Sequence, residues 1–365
     1  MKSYNEIINK KDVSILITGD SLAFNRYGYD PVHRGNFDVF EYGVGMQSWS
    51  FALRDKLYFS DPNFIFGSDL IFNCDSVSGI DNLSEIPNTA MFNCQIKTLM
   101  PKEDVEFVVP FDSEEIVLYL QNRIDNPCVF DISVDGKVVL ANVNTLGDIK
   151  FFAGYALNVL RLPCEKRNEK HIVKFTNIRG ENPKITVAAV GSVYRKIVLN
   201  GRGSQCISFF IENFEERILN HKPDLIILSL IGNDRVRVAP EVVRQQLIEL
   251  FGKIFENLPE CKVLFLLPTS SHNPDDPEQD IIPYTSLLTA EVYNRTVERV
   301  CANLGKEGYN SDSLKSDTEY DIEVMRISSL FDNDNVSLWR FDTIHLNHYG
   351  NKVLCDTLLE KFNMK

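Results

Sequence analysis

The sequence predicts an α/β fold in which a five-stranded parallel sheet, covered by helices on both faces, is interrupted by an inserted all-β sandwich of jelly-roll type. Three observations predict it. Strand candidates at 13–18, 196–199, 224–230, 262–267 and 321–326 alternate with helix-length stretches at 48–58, 204–220, 240–257, 284–304 and 348–362. Between them the alternation stops, and short apolar runs separated by turn residues follow at 105–110, 115–121, 128–134, 137–143, 156–162, 171–177 and 184–190. Two of those runs are joined by Asp135-Gly136, a two-residue hairpin signal. The expected division is an α/β domain from residues 1–61 and 195–365, with residues 62–194 as the insert.

Taken in order, the first strand is a β-branched run ending in Gly19-Asp20-Ser21-Leu22. That places Ser21 at the carboxyl end of a buried parallel strand, where open α/β sheets bind their ligands. The same residues also make an ordinary helix start, with Asp20 or Ser21 capping free N–H groups. Trp49, at the head of the next helix, reads as a core or interdomain anchor. After the sandwich, the strand 196–199 runs into Asn200-Gly201-Arg202-Gly203, a turn whose backbone can approach a substrate closely. The strand 224–230 ends in Ile231-Gly232-Asn233-Asp234, and an Asn there can aim its amide into the crevice as an oxyanion donor. The Pro- and Asp-rich loop 269–283 hangs over the same strand ends, long enough to form a substrate rim. Before the last helix the chain reads Asp342-Thr343-Ile344-His345-Leu346-Asn347.

A serine hydroxyl needs a base within hydrogen-bond reach, and the base needs a carboxylate to fix its tautomer. A tight turn from Asp342 to His345 supplies both, one ring nitrogen facing the carboxylate and the other facing Ser21. Alone, an Asp-x-x-His favours the plainer reading of a helix cap and a packing histidine. The order of all four segments, each at a strand or helix boundary, shifts the balance.

With Gly19-Asp20-Ser21-Leu22, Asn200-Gly201-Arg202-Gly203, Gly232-Asn233-Asp234 and Asp342-Thr343-Ile344-His345 in that order, the chain resembles the SGNH hydrolases, the GDSL esterases and lipases. The resemblance covers roughly residues 10–60 and 195–365 and implies a flavodoxin-like sheet. Ser21 would be the nucleophile, His345 the general base and Asp342 its orienting carboxylate. Ser21 N–H, Gly203 N–H and the Asn233 side chain would form the oxyanion hole. Gly45, in a second Gly-containing turn, competes with Gly203 for that role; Gly203 is preferred because it lies one helix upstream of Gly232-Asn233-Asp234. Asp20, Gly45, Asp234 and Trp339 complete the expected substrate surroundings. His33 and Arg34 read as a solvated loop face, and His348 as the first turn of the last helix.

Composition sets the outer limits. At 365 residues and 44% hydrophobic, the chain is long enough for two packed domains. A net charge of −13, from 38 basic and 51 acidic side chains, argues against a nucleic-acid partner. Eight cysteines are scattered without a Cys-x-x-Cys pair, which fits neither a zinc site nor a small disulfide framework, so neither a metal nor another cofactor is expected. The amino terminus is charged where a signal peptide is apolar and no window has the length of a membrane span. A cytoplasmic protein without a membrane partner is expected, and a homo-oligomer is left open.

The resemblance implies two-step acyl transfer to water. A sandwich beside such a domain favours removal of a small acyl group, acetyl above all, from a saccharide or glycoconjugate. The runners-up are a general short-chain carboxylesterase or thioesterase, and an acyltransferase in which a sugar hydroxyl replaces water. A catalytically inactive carbohydrate-binding or scaffold protein is the alternative of another class.

Overall fold

The computed structural model describes residues 2–24, 48–78, 96–123, 127–146, 149–150, 155–166, 169–268, 287–309, 319–331 and 345–364. The first element is a short helix, α1 (Tyr4–Ile8), closed by a capping box in which Ser3 and Glu6 satisfy each other's backbone N–H groups. β1 (Val13–Gly19) follows and passes into α2 (Ser21–Phe24); the next described helix is α3 (Trp49–Phe59).

Eleven strands come next: β2 (Ile65–Phe66), β3 (Ser76–Ser78), β4 (Lys97–Leu99), β5 (Val105–Val109), β6 (Glu115–Arg123), β7 (Val129–Val134), β8 (Lys137–Asn144), β9 (Ile149–Lys150), β10 (Tyr155–Pro163), β11 (His171–Arg179) and β12 (Ile185–Gly191). The α/β pattern then returns with β13 (Arg195–Leu199), α4 (Ile207–Glu212), α5 (Phe214–Arg217), β14 (Leu225–Ser229), α6 (Asp234–Arg237), α7 (Pro240–Asn257), β15 (Lys262–Leu267), α8 (Leu287–Asn303), β16 (Ile322–Arg326) and α9 (His348–Lys361).

Two compact units emerge, one from the described residues of 1–35, 47–53 and 197–365, the other from those of 54–196. In the first, five strands lie in the order β13-β1-β14-β15-β16. β1, β14, β15 and β16 pair in parallel, and β13 runs the same way, since Asn200 N–H donates to Ile17 O and Arg202 N–H to Gly19 O. Numbered within the sheet alone this is the order 2-1-3-4-5, the doubly wound flavodoxin arrangement. Continuous apolar strands are what a sheet covered on both faces demands, and every residue of β14 and β15 is buried.

The second unit packs two antiparallel sheets. One has seven strands, β3-β4-β12-β6-β10-β9 with β2 also paired to β12; the other is β5-β11-β7-β8. Leu118, Leu120 and Val187 from the first sheet share a core with Phe107, Phe130 and Phe175 from the second. β5 alternates buried and exposed residues with the period of two that a half-buried strand requires. Asp135 and Gly136 both take positive φ, 50° and 81°, as a type I′ hairpin turn needs.

The α/β sheet and the all-β insert match the predicted fold class, and the differences are local. The single helix expected over 204–220 is broken into α4, α5 and a 3-10 turn, Leu219–His221. Asn213 stands at the break with φ −108° and ψ 27°; its backbone N–H and its side-chain amide both donate to Phe209 O, at 3.0 and 2.8 Å. β2, β3, β4 and β9, of two or three residues each, are too short to show a period.

Candidate active site

The order of the parallel sheet reverses between β1 and β14: the next strand from β1 leads one way, to β13, and from β14 the other way, to β15. The crevice at their carboxyl ends is a topological switch point. Both strands turn sharply there. Gly19 has φ 145°, and a Cβ built on it would lie 1.8 Å from Ser229 O, so only glycine fits. Asp20 N–H donates to the same Ser229 carbonyl at 3.0 Å, which holds the turn against β14. Ser21 opens α2 directly beyond, half-buried, and its Oγ lies 3.1 Å from His345 Nε2. His345 is 5% exposed. A hydroxyl and an imidazole nitrogen at that separation meet the geometry of a nucleophile and its base.

Two further turns flank Ser21. After β13, Gly203 comes so close that a Cβ on it would stand 4.0 Å from Ser21 Cβ. Asn200 anchors this turn: its amide donates to the Glu216 carbonyl, and its Oδ1 accepts from Arg217 Nη1 at 2.7 Å. After β14, the Asn233 amide donates to Asp20 Oδ2 and to Gln205 O, both at 3.2 Å, and so bridges the turns after β1 and β13. Gly232 is held tightly as well, since a Cβ there would meet Leu22 Cδ1 at 2.9 Å and Asp20 Oδ2 at 3.0 Å.

Asp20 and Asp234 are fully buried. Asp20 accepts from Leu22 N–H at 2.9 Å as well as from Asn233, and Asp234 accepts from Ile207 N–H at 3.1 Å. Burial is the main reason the Asp20 carboxyl rises from 3.8 to about 6, with the Leu22 N–H working against it. Burial raises Asp234 too, against the same kind of backbone donor. Both carboxylates thus tie the turns together from behind Ser21 and present no oxygen to solvent. Asp342, Gly45, Trp339, His33, Arg34 and the loop 269–283 lie outside the described residues.

Asn351 had no signal in the sequence beyond its place on a helix. It is 1% exposed in α9, and its side chain reaches Trp49 N–H as well as the carbonyls of Leu346 and Asn347. Trp49, expected as an anchor, is fully buried and donates its indole N–H to Leu22 O at 3.0 Å. His348 opens α9. No cluster of His, Cys, Asp and Glu able to hold a metal occurs among the described residues, and no helix among them is long and apolar enough to cross a membrane.

No family model matches the chain, and no curated protein matches it. Its fold is similar to that of solved esterases and lipases of the SGNH and GDSL kind. A peptidoglycan O-acetylesterase is 11% identical with a TM-score of 0.43, over 98% of this chain and 93% of that one. An acetylxylan esterase from Geobacillus stearothermophilus is 15% identical with a TM-score of 0.35, over 47% of this chain and 74% of that one. A lipase/acylhydrolase from Enterococcus faecalis is 13% identical with a TM-score of 0.34, over 47% and 78%. Likenesses this distant add nothing to the case for an activity, which rests on the residues at the switch point.

Proposed function

We propose that the chain is a serine esterase of the SGNH kind that removes short acyl groups, acetyl above all, from a carbohydrate or glycoconjugate. The observation that carries the proposal is the 3.1 Å contact of Ser21 Oγ with His345 Nε2 at the carboxyl ends of β1 and β14. His345 takes the Ser21 proton as the hydroxyl attacks the ester carbonyl, and Asp342 holds the imidazole in the right tautomer. Ser21 N–H, Gly203 N–H and the Asn233 amide receive the oxyanion. Both bonds that Asn233 makes are long, at 3.2 Å, and a full negative charge is a stronger acceptor than the neutral Gln205 carbonyl, so that N–H can turn to the oxyanion. His345 then protonates the leaving alcohol, and water, deprotonated by the same residue, hydrolyses the acyl-enzyme.

Residues 1–61 and 195–365 form the hydrolase domain in this proposal, and residues 62–194 the insert. The saccharide part rests on that combination of a sandwich with an esterase domain. The test is hydrolysis of para-nitrophenyl acetate, butyrate and octanoate by wild type and Ser21→Ala. Activity confined to the acetate and abolished in the variant is expected. A folded wild type inert to all three esters, or a Ser21→Ala variant as active as wild type, would sink the proposal.

A further inference from the structure

We propose that Trp49 and Asn351 are positioning residues that set the distance between Ser21 and His345, an inference that rests on the esterase reading above. Ser21 and His345 belong to segments far apart in sequence, and the 3.1 Å between them is fixed only if the two backbones are tied together. Leu22 O, one residue beyond the nucleophile, accepts the Trp49 indole N–H at 3.0 Å. Trp49 N–H is the first of α3 and has no partner within its own helix; it donates to Asn351 Oδ1 at 2.9 Å. The Asn351 amide then donates to Leu346 O at 3.0 Å and to Asn347 O at 2.9 Å, gripping the carbonyls one and two residues beyond His345.

Trp49 is fully buried and Asn351 is 1% exposed, so water replaces none of these bonds. Both N–H groups and the oxygen of the Asn351 amide are used, leaving it one orientation. The path from Ser21 to His345 therefore runs through four hydrogen bonds and two planar side chains that have little freedom to rotate. Leu22 and Leu346 supply only backbone atoms to it, so their side chains can vary without loss of the clamp.

The clamp acts on the geometry of attack and touches no part of the substrate. Its loss should therefore lower kcat and leave KM alone, because misplacement by about 1 Å costs a positioned reaction on the order of 10²-fold. Asn351→Asp keeps the shape and the acceptor for Trp49 N–H but sets an oxygen against two carbonyls. Trp49→Phe removes the indole N–H alone among polar groups and serves if Asn351→Asp does not fold.

The experiment is steady-state hydrolysis of para-nitrophenyl acetate by wild type, Asn351→Asp, Trp49→Phe and Ser21→Ala. Near-ultraviolet circular dichroism establishes folding, and a fluorophosphonate counts competent serines. Expected is a fall in kcat per competent serine of about tenfold to 10²-fold, with KM within about twofold of wild type. Wild-type kcat in folded variants, or a rise in KM as large as the fall in kcat, overturns the clamp while Ser21-dependent hydrolysis still stands. Wild-type hydrolysis that survives Ser21→Ala overturns the esterase reading, and the clamp's catalytic role with it.

Discussion

Gly19→Ala is the substitution that asks most of the site. A Cβ at Gly19 would stand 1.8 Å from the Ser229 carbonyl oxygen and 2.6 Å from its carbon, both backbone atoms of the neighbouring strand. Carbon and oxygen without a bond between them rest about 3.3 Å apart, so β1 and β14 must separate by roughly 1.5 Å at the switch point. That movement breaks the 3.0 Å bond from Asp20 N–H to Ser229 O, for about 1 kcal/mol, and the strained backbone adds about 1–3 kcal/mol. Ser21, two residues on, moves with the turn, and its alignment with His345 is lost at a cost of roughly 10²-fold in kcat. Gly136→Ala is the matched control: Gly136 also has positive φ, 81°, but nothing lies within 4 Å of a Cβ there. It should lose only about 1–2 kcal/mol, from backbone strain in the hairpin turn, and keep its kcat. Para-nitrophenyl acetate hydrolysis and urea unfolding of both variants decide the matter. Equal stability losses in the two, or wild-type kcat in Gly19→Ala, would refute the reasoning.

Asp20 gives a pH signature. Its folded value of about 6 lies above the unfolded 3.8, so the native state holds the proton more tightly, and ionised Asp20 lowers stability at neutral pH. That penalty fades as pH falls through 6: wild type should gain about 2 kcal/mol on Asp20→Asn between pH 7 and 4.5, and urea curves showing a pH-independent difference would contradict this. Gly232→Ala meets side-chain atoms only, Leu22 Cδ1 at 2.9 Å and Asp20 Oδ2 at 3.0 Å, where Gly19→Ala meets backbone at 1.8 Å, so its fall in kcat should be the smaller; an equal or larger loss would show these side chains to be as rigid as the strand. In the sandwich, buried His171 contacts Asp135 Oδ2 at 2.8 Å, and His171→Phe should cost about 1–3 kcal/mol by removing that bond, while Asp135 Oδ1 still accepts from Ile172 N–H. Calorimetry of the variant with an unchanged unfolding profile would show that the pair contributes nothing.

The sheet and the sandwich were legible because their signals are periodic. Apolar runs such as 262–267 occur where β15 forms, and Asp135-Gly136 stands at a turn that needs two positive φ values. Ser21 and His345 were legible as residue types at strand and helix boundaries, and the fold brings them within 3.1 Å. The Asn200, Asn233 and Asn351 bonds were not legible, because a hydrogen bond between turns depends on distances that only the assembled sheet defines. The break in the helix after β13 was hidden for a related reason: the spacing of 204–220 fits a continuous helix, and only the backbone of Asn213, at φ −108° and ψ 27°, shows the interruption.

Unfavourable features gather at the carboxyl ends of β1 and β14. Ile231 is fully buried at φ 86°, a conformation that a β-branched residue adopts only under constraint. Among the described residues of the sandwich, the non-glycine residues with positive φ are Asp135, Asn142, Asn177 and Asn182, types that tolerate it in turns. Two carboxylates are buried within the same few residues, Asp20 and Asp234, each raised above its ordinary range by burial. A structure selected for stability alone would place glycine at 231 and neutral residues at 20 and 234. Strain and buried charge in one place mark a position where geometry is held against its energetic preference. The part of this mark carried by Ile231 and Asp234 does not depend on Ser21 or His345, since both residues belong to a different turn. Two independent lines, one from side-chain chemistry and one from backbone cost, therefore point to the same crevice.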